Sequence, residues 1–233
     1  MIKAVFFDID GTLIDTSTHT IPQSTITAIQ SLANQGYKIG IASGRDMKNI
    51  QDIHDLDLSL FDGFVASNGM CVFDHKLNCI QKHIYPESDV QKILDFANNH
   101  QMTLVFETMD EIFVANDTNP YVDISNEYYQ EVTPEKKQWN QEEIVKITCF
   151  QAQNFNFQEL IQKVPVLVLR SPTTTYDLTL PDVSKLTGIH ELMHEWGLEE
   201  SGFMCFGDHD NDLEMIQGAE IGIAVKDALG SPV

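Results

Sequence analysis

The chain has 233 residues, 42% of them apolar, and a formal net charge of −21 from 14 basic and 35 acidic side chains. That length and apolar share suit a globular protein of one large or two modest domains, and the acidic field argues against nucleic acid or an anionic membrane as a general partner. No apolar run approaches the roughly 20 residues of a membrane span. An anionic substrate would need a locally positive site.

Ile2 to Phe7 is β-branched and aromatic, enough for a strand buried on both faces. Ala4 to Phe7 is too short for a secretory signal before Asp8 interrupts it. Asp8 and Asp10 follow where the strand should end, an i, i+2 pair that can aim two acids into one place. So close together they would repel, and one would be protonated unless a cation shares the site. A hard divalent ion such as Mg²⁺ would let one aspartate stay ionised as ligand and nucleophile while the other works as general acid and base. Gly11 lets the backbone pass near a bound anion, and Thr12 can donate a hydroxyl hydrogen bond.

Pro22 suits the first turn of a helix carrying Ile26, Ile29, Leu32 and Ala33 at helical spacing, with Gly36 as its stop. Tyr37 to Ala42 reads as a second strand ending on Ser43-Gly44-Arg45. Phe61 to Ala66 is a third, ending on Ser67-Asn68-Gly69. Polar residues thus gather at strand ends, where open α/β sheets bind ligands.

From about Cys71 the texture changes. Cys79 to Tyr85, Thr103 to Glu107, Glu111 to Ala115, Ile144 to Phe150, Val166 to Arg170 and Tyr176 to Leu180 read as short strands. Helical stretches lie near Asp89 to Asn98 and Phe157 to Lys163. Acidic and amide-rich sequence separates them, including Asn116 to Asn126 and Thr133 to Glu143. Past Pro181 the simpler rhythm resumes: a helix from Leu186 to Trp196 ended by Gly197, a buried strand Phe203 to Phe206, the loop Gly207-Asp208-His209-Asp210-Asn211-Asp212, a helix from Leu213, and a strand Glu220 to Val225. The expected division is a core of residues 1–84 and 181–233 with an inserted α+β domain of residues 85–180. Cys71, Cys79, Cys149 and Cys205 show no CxxC spacing, which suits reduced thiols and a cytoplasmic location.

Four signals therefore fall in one order: Asp8/Asp10, Ser43-Gly44, Lys185 and Asp208 to Asp212. This resembles the haloacid dehalogenase superfamily, whose members carry a DxDG(T/V) loop, a Ser/Thr, a Lys and a GDxxxD or GDxxND loop. The GDxxND form, the large insertion and Ser67-Asn68-Gly69 are similar to its Cof-type, subfamily IIB branch with a C2B cap. The resemblance implies an α/β fold with a Rossmann-like parallel-sheet core and an α+β cap. It also implies a phosphoric monoester hydrolase acting on small phosphorylated, sugar phosphate-like metabolites with Mg²⁺. Asp8 would be the nucleophile and Asp10 the acid and base; Gly11, Ser43, Gly44, Arg45, Asn68, Lys185 and Asn211 would bind phosphate or substrate, with pairing to a surface acid as the other reading of Arg45. Asp8, Asp10 (through its backbone carbonyl), Asp208 and Asp212 would form or orient the metal shell. The partner implied is a small-molecule phosphate ester, for a monomer or homodimer.

Other readings stay open. A phosphomutase of similar layout is one, and a weak or regulatory phosphate-ester binder is another. The family usually continues with a further helix and strand, and Lys226-Asp227 replaces its glycine-asparagine turn. The end at Val233 is therefore expected to bear on stability or activity. His190-Glu191-Leu192-Met193-His194 matches the zinc-protease HExxH pattern with Glu214 downstream, but on a helix Leu192 and Met193 should face the core and the histidines the surface.

Overall fold

The computed structural model describes residues 1–15, 18–129, 132–171 and 173–225. It divides into two compact units, Met1–Lys82 with Asp182–Val233, and His83–Pro181.

In the first unit, β1 (Ala4–Phe7) is followed by α1 (Gln23–Asn34), β2 (Lys38–Ala42), α2 (Met47–Gln51), β3 (Gly63–Ala66), β4 (Cys71–Asp74) and β5 (Cys79–Lys82). The second unit contributes α3 (Glu87–Asn99), β6 (Thr103–Glu107), β7 (Ile112–Val114), α4 (Pro120–Tyr129), β8 (Lys146–Phe150), α5 (Gln158–Ile161), β9 (Leu167–Arg170) and β10 (Thr175–Thr179). The chain then returns with α6 (Lys185–Glu195), β11 (Phe203–Gly207), α7 (Leu213–Gly218) and β12 (Ile221–Ala224).

The first sheet runs β12-β11-β1-β2-β3-β4-β5. Its first five strands are mutually parallel, and β4 and β5 close the edge antiparallel. All four residues of β1 are buried, as expected of a central parallel strand covered on both faces. Phe6 stacks on Trp196 at 5.5 Å and meets Phe203 edge-on. Its register partner is Gly40, where a Cβ would fall 2.3 Å from the Phe6 ring.

Helix α6 lies against this layer through Leu192 and Met193, both fully buried. Its close seat depends on Gly188, since a Cβ there would come within 2.4 Å of Val65. The second sheet, β7-β6-β8-β10-β9, is antiparallel throughout. Helix α4 covers part of one face, where Val122 joins a cluster with Val105, Val114 and Phe150.

Three elements go beyond the sequence expectation. Strand β4 was not anticipated; it turns back at Asp74, whose side chain accepts from the backbone N–H of Lys76 and Asn78. Helix α2 starts on Asp46, which accepts from the Asn49 N–H. Helix α4 starts at Pro120 inside sequence read only as amide-rich. The strand expected over Cys79 to Tyr85 ends at Lys82. Lys226-Asp227 lies outside the described residues.

Candidate active site

Parallel registration brings the ends of three strands together. Phe7 pairs with Ile41 on one side and Phe206 on the other, so Asp8 after β1, Ser43 after β2 and Asp208 after β11 emerge at one sheet edge. Helix α6 supplies the fourth group. Ser184 caps it, accepting from the Thr187 N–H while the Thr187 hydroxyl accepts from the Ser184 N–H. Lys185, its first residue, is thereby committed to the same edge.

Lys185 is 1% exposed, and its Nζ donates to Asp8 Oδ1 and Asp212 Oδ1, each at 2.6 Å. Burial alone would discharge it, but the Asp212 and Asp8 carboxylates more than offset this and hold it charged. Asp8 is driven toward its neutral form. Its burial, with Asp212 and Asp10 nearby, pushes its carboxyl well above the usual range despite the Lys185 ammonium. Burial likewise raises Asp208.

Asp212 is fully buried and organises the last loop. Its Oδ2 accepts from two successive backbone amides, Asp208 N at 2.9 Å and His209 N at 3.0 Å. Asp208 is held by Thr12, whose hydroxyl donates to Oδ1 at 2.9 Å. Gly11 has φ +89°, and a Cβ there would fall 2.2 Å from Asp208 Oδ2. The glycine thus makes room for a neighbouring carboxylate, and the Thr12 hydroxyl holds that carboxylate in place.

Ser43 is buried, and its Oγ accepts from the Arg45 N–H at 3.1 Å. Asn68 N donates to Ser43 O, and Asn68 Oδ1 accepts from Asn211 Nδ2 at 2.9 Å. Gly44 lies beside that amide, with a virtual Cβ 3.3 Å from Asn68 Oδ1. Ser67, Asn68 and Gly69 all adopt positive φ, 51°, 56° and 97°. Such backbone is costly for the two non-glycine residues. At Gly69 a Cβ would lie 2.1 Å from Ser184 O, so this turn rests directly on the cap of α6.

The site therefore gathers Asp8, Lys185, Asp208 and Asp212 around one point, with Ser43, Gly44, Asn68 and Asn211 laced beside them. Asp10 and Arg45 form a separate pair: Nε donates to Oδ2 at 2.8 Å and Nη2 to Oδ1 at 2.7 Å. Sequence reading divides Arg45 between substrate and a surface acid, and it overlooks Ser184. The Ser-x-x-Thr spacing before an apolar helix was the available signal for that cap.

Asp8, Asp208 and Asp212 offer carboxylate oxygens within 4.8 Å of one another, the one group of metal-ligating type found among the described residues. The HExxH residues do not join such a group. His190 is half-buried, edge-on to Phe203, while His194 and Glu214 are exposed. No helix among the described residues is long and apolar enough to cross a membrane.

A family model for haloacid dehalogenase-like hydrolases matches residues 5–230. A Streptococcus pyogenes protein, named as a candidate bifunctional phosphatase/peptidyl-prolyl cis-trans isomerase, is 29% identical over 96% of this chain. The chain spans only 47% of that relative's length. YkrA of Bacillus subtilis, named as a candidate phosphatase, is 27% identical over 97% of this chain and 87% of its own length. A solved structure described as a HAD subclass IIB sugar phosphatase superposes with a TM-score of 0.84 at 28% identity, covering 95% of this chain and 86% of that one. With its strand-end acids, buried lysine and closing acidic loop, the chain belongs to the haloacid dehalogenase-like hydrolases, in their Cof-type branch.

Proposed function

We propose that this chain is a Mg²⁺-dependent phosphatase of small phosphorylated metabolites with sugar-like leaving groups, acting through an aspartyl-phosphate on Asp8. The observation that carries the reading is the arrangement around Asp8. A buried carboxylate at a strand end touches a buried ammonium and lies beside two further acids.

The donor set fits a hard divalent ion, since it offers only oxygen and holds three carboxylates against one ammonium. Asp8 and Asp208 would hold it together with the Asp10 backbone carbonyl. Asp212, its oxygens already engaged by Lys185 and two amides, would orient the shell. When bound, the ion supplies charge neutralisation for the phosphoryl oxygens.

The chain's own groups do the rest. Asp8 attacks phosphorus, Asp10 protonates the leaving oxygen and later takes a proton from water, and Lys185 offsets charge between Asp8 and the phosphate. The Ser43 hydroxyl and the Gly44 amide hold phosphate oxygens. Substrate choice is assigned to the inserted unit, His83–Pro181. The likeness to a sugar phosphatase supports a polyhydroxylated leaving group.

The test is phosphate release from an aryl phosphate and a panel of sugar phosphates, with and without Mg²⁺, beside Asp8→Asn. Release that needs the ion and vanishes in the variant is expected. Release that survives either Asp8→Asn or metal removal would refute the proposal.

A further inference from the structure

The phosphatase reading gives Asp10 two proton transfers but leaves open what aims its carboxylate. That side chain is 42% exposed, at a strand end, and free rotation would spread it over several rotamers. Arg45 prevents this. Its planar fork spans both carboxylate oxygens, through Nε at 2.8 Å and Nη2 at 2.7 Å, a two-point contact that fixes the plane of the carboxylate as well as its position.

The Arg45 main chain has a separate task. Its N–H donates to Ser43 Oγ, and its carbonyl accepts from the Ser67 N–H at 2.8 Å. The side chain thus starts from a backbone pinned between the ends of β2 and β3, and it is itself only 25% exposed.

We infer that Arg45 is a positioning residue for Asp10, acting on proton delivery to the leaving group rather than on phosphate binding. This inference rests on the phosphatase reading. In the first step the Asp8 oxygen bonds to phosphorus as the bond from phosphorus to the leaving oxygen breaks. The leaving oxygen keeps that electron pair and takes the proton of the Asp10 carboxyl. In the second, water attacks phosphorus and gives its proton to Asp10, and the bond from Asp8 to phosphorus breaks to release phosphate. While Asp10 is protonated, one carboxyl oxygen keeps its hydrogen bond to the guanidinium and the other carries the proton; between the two steps Asp10 is a carboxylate and both its oxygens face the fork.

The two roles for Arg45 separate on leaving-group dependence. A phosphate-binding arginine meets the same phosphoryl group in every substrate. A residue that aims the acid matters most when the leaving oxygen is strongly basic and needs the proton.

The experiment measures kcat/KM, with Mg²⁺ present, for a series of substituted phenyl phosphates running from nitrophenol to methoxyphenol leaving groups. Wild type is compared with R45Q, R45A and R45K, all screened by circular dichroism. General acid catalysis contributes at least about 10²-fold, so R45Q should lose about 10²-fold on the poorest leaving group and less than about 10-fold on nitrophenyl phosphate. R45K, with one donor point, should fall between. An equal loss across the series in folded R45Q and R45K would overturn the inference and return Arg45 to phosphate binding. Absence of turnover by wild type would instead overturn the phosphatase reading and this inference with it.

Discussion

Replacing Lys185 with methionine keeps most of the apolar stem and removes the charge. In wild type the ammonium lies 2.6 Å from both Asp8 and Asp212, with side chains 1%, 7% and 0% exposed. With an effective dielectric near 20, each attraction amounts to about 6 kcal/mol. Desolvation of several kcal/mol per ion cancels much of that, so the intact trio contributes little net. Removing the ammonium is different, because both acids then stay buried without their counter-charge, and the expected loss is about 3–5 kcal/mol. For a chain of this size that lowers the melting temperature by roughly 6–20 °C, read by differential scanning calorimetry in metal-free buffer at pH 7. Because Lys185 is raised in the folded state, its contribution is complete below the unfolded lysine value of about 10.4. It is lost only as pH rises through the folded value, so pH 7 reports it fully and the gap between variant and wild type should narrow in strong alkali. A variant melting within about 2 °C of wild type at pH 7, under about 1 kcal/mol, would refute the idea that the ammonium compensates these acids.

Asp8→Asn should abolish turnover yet raise the melting temperature of the metal-free protein by a few degrees, since Asp8 is pushed up chiefly by burial. That penalty grows as pH climbs above the unfolded aspartate value of about 3.9, so melting curves of variant and wild type should converge in acid; a destabilised variant at pH 7 would contradict this. Gly11→Ala, at φ +89° and 2.2 Å from Asp208, should cost about 1–2 kcal/mol in backbone strain and lower kcat/KM about 10²-fold by displacing Asp208. Circular dichroism and steady-state kinetics together test it, and normal activity would show that Asp208 moves freely. Of the four thiols only Cys79 is exposed. Burial pushes Cys205 up to about 12 and Cys149 further, so an aromatic disulfide reagent should titrate one thiol in the folded chain and four in urea.

Much of the core was legible because its strands are short, buried and end on polar residues. Ala4–Phe7 is apolar throughout, and hydrophobicity alone locates such a strand. Elements whose cause is a cap or a turn were less legible. Helix α2 depends on Asp46 and α4 begins at Pro120, both single-residue signals in polar surroundings. Strand β4 exists because it finds an edge on β3, pairing Phe64 with Phe73, a partnership that neither segment announces.

The sequence by itself determined the order of the acids, hydroxyl, lysine and closing loop, and the strand ends that carry them, since these follow from local periodicity and punctuation. Only the tertiary structure decided who touches whom. It set Gly11 against Asp208, gave Thr12 to Asp208, and closed Arg45 on Asp10. Thr12 and Asp208 stand 196 positions apart and Asp10 and Arg45 stand 35 apart. Such contacts depend on the register between parallel strands, and periodicity along a chain carries no information about distance between strands.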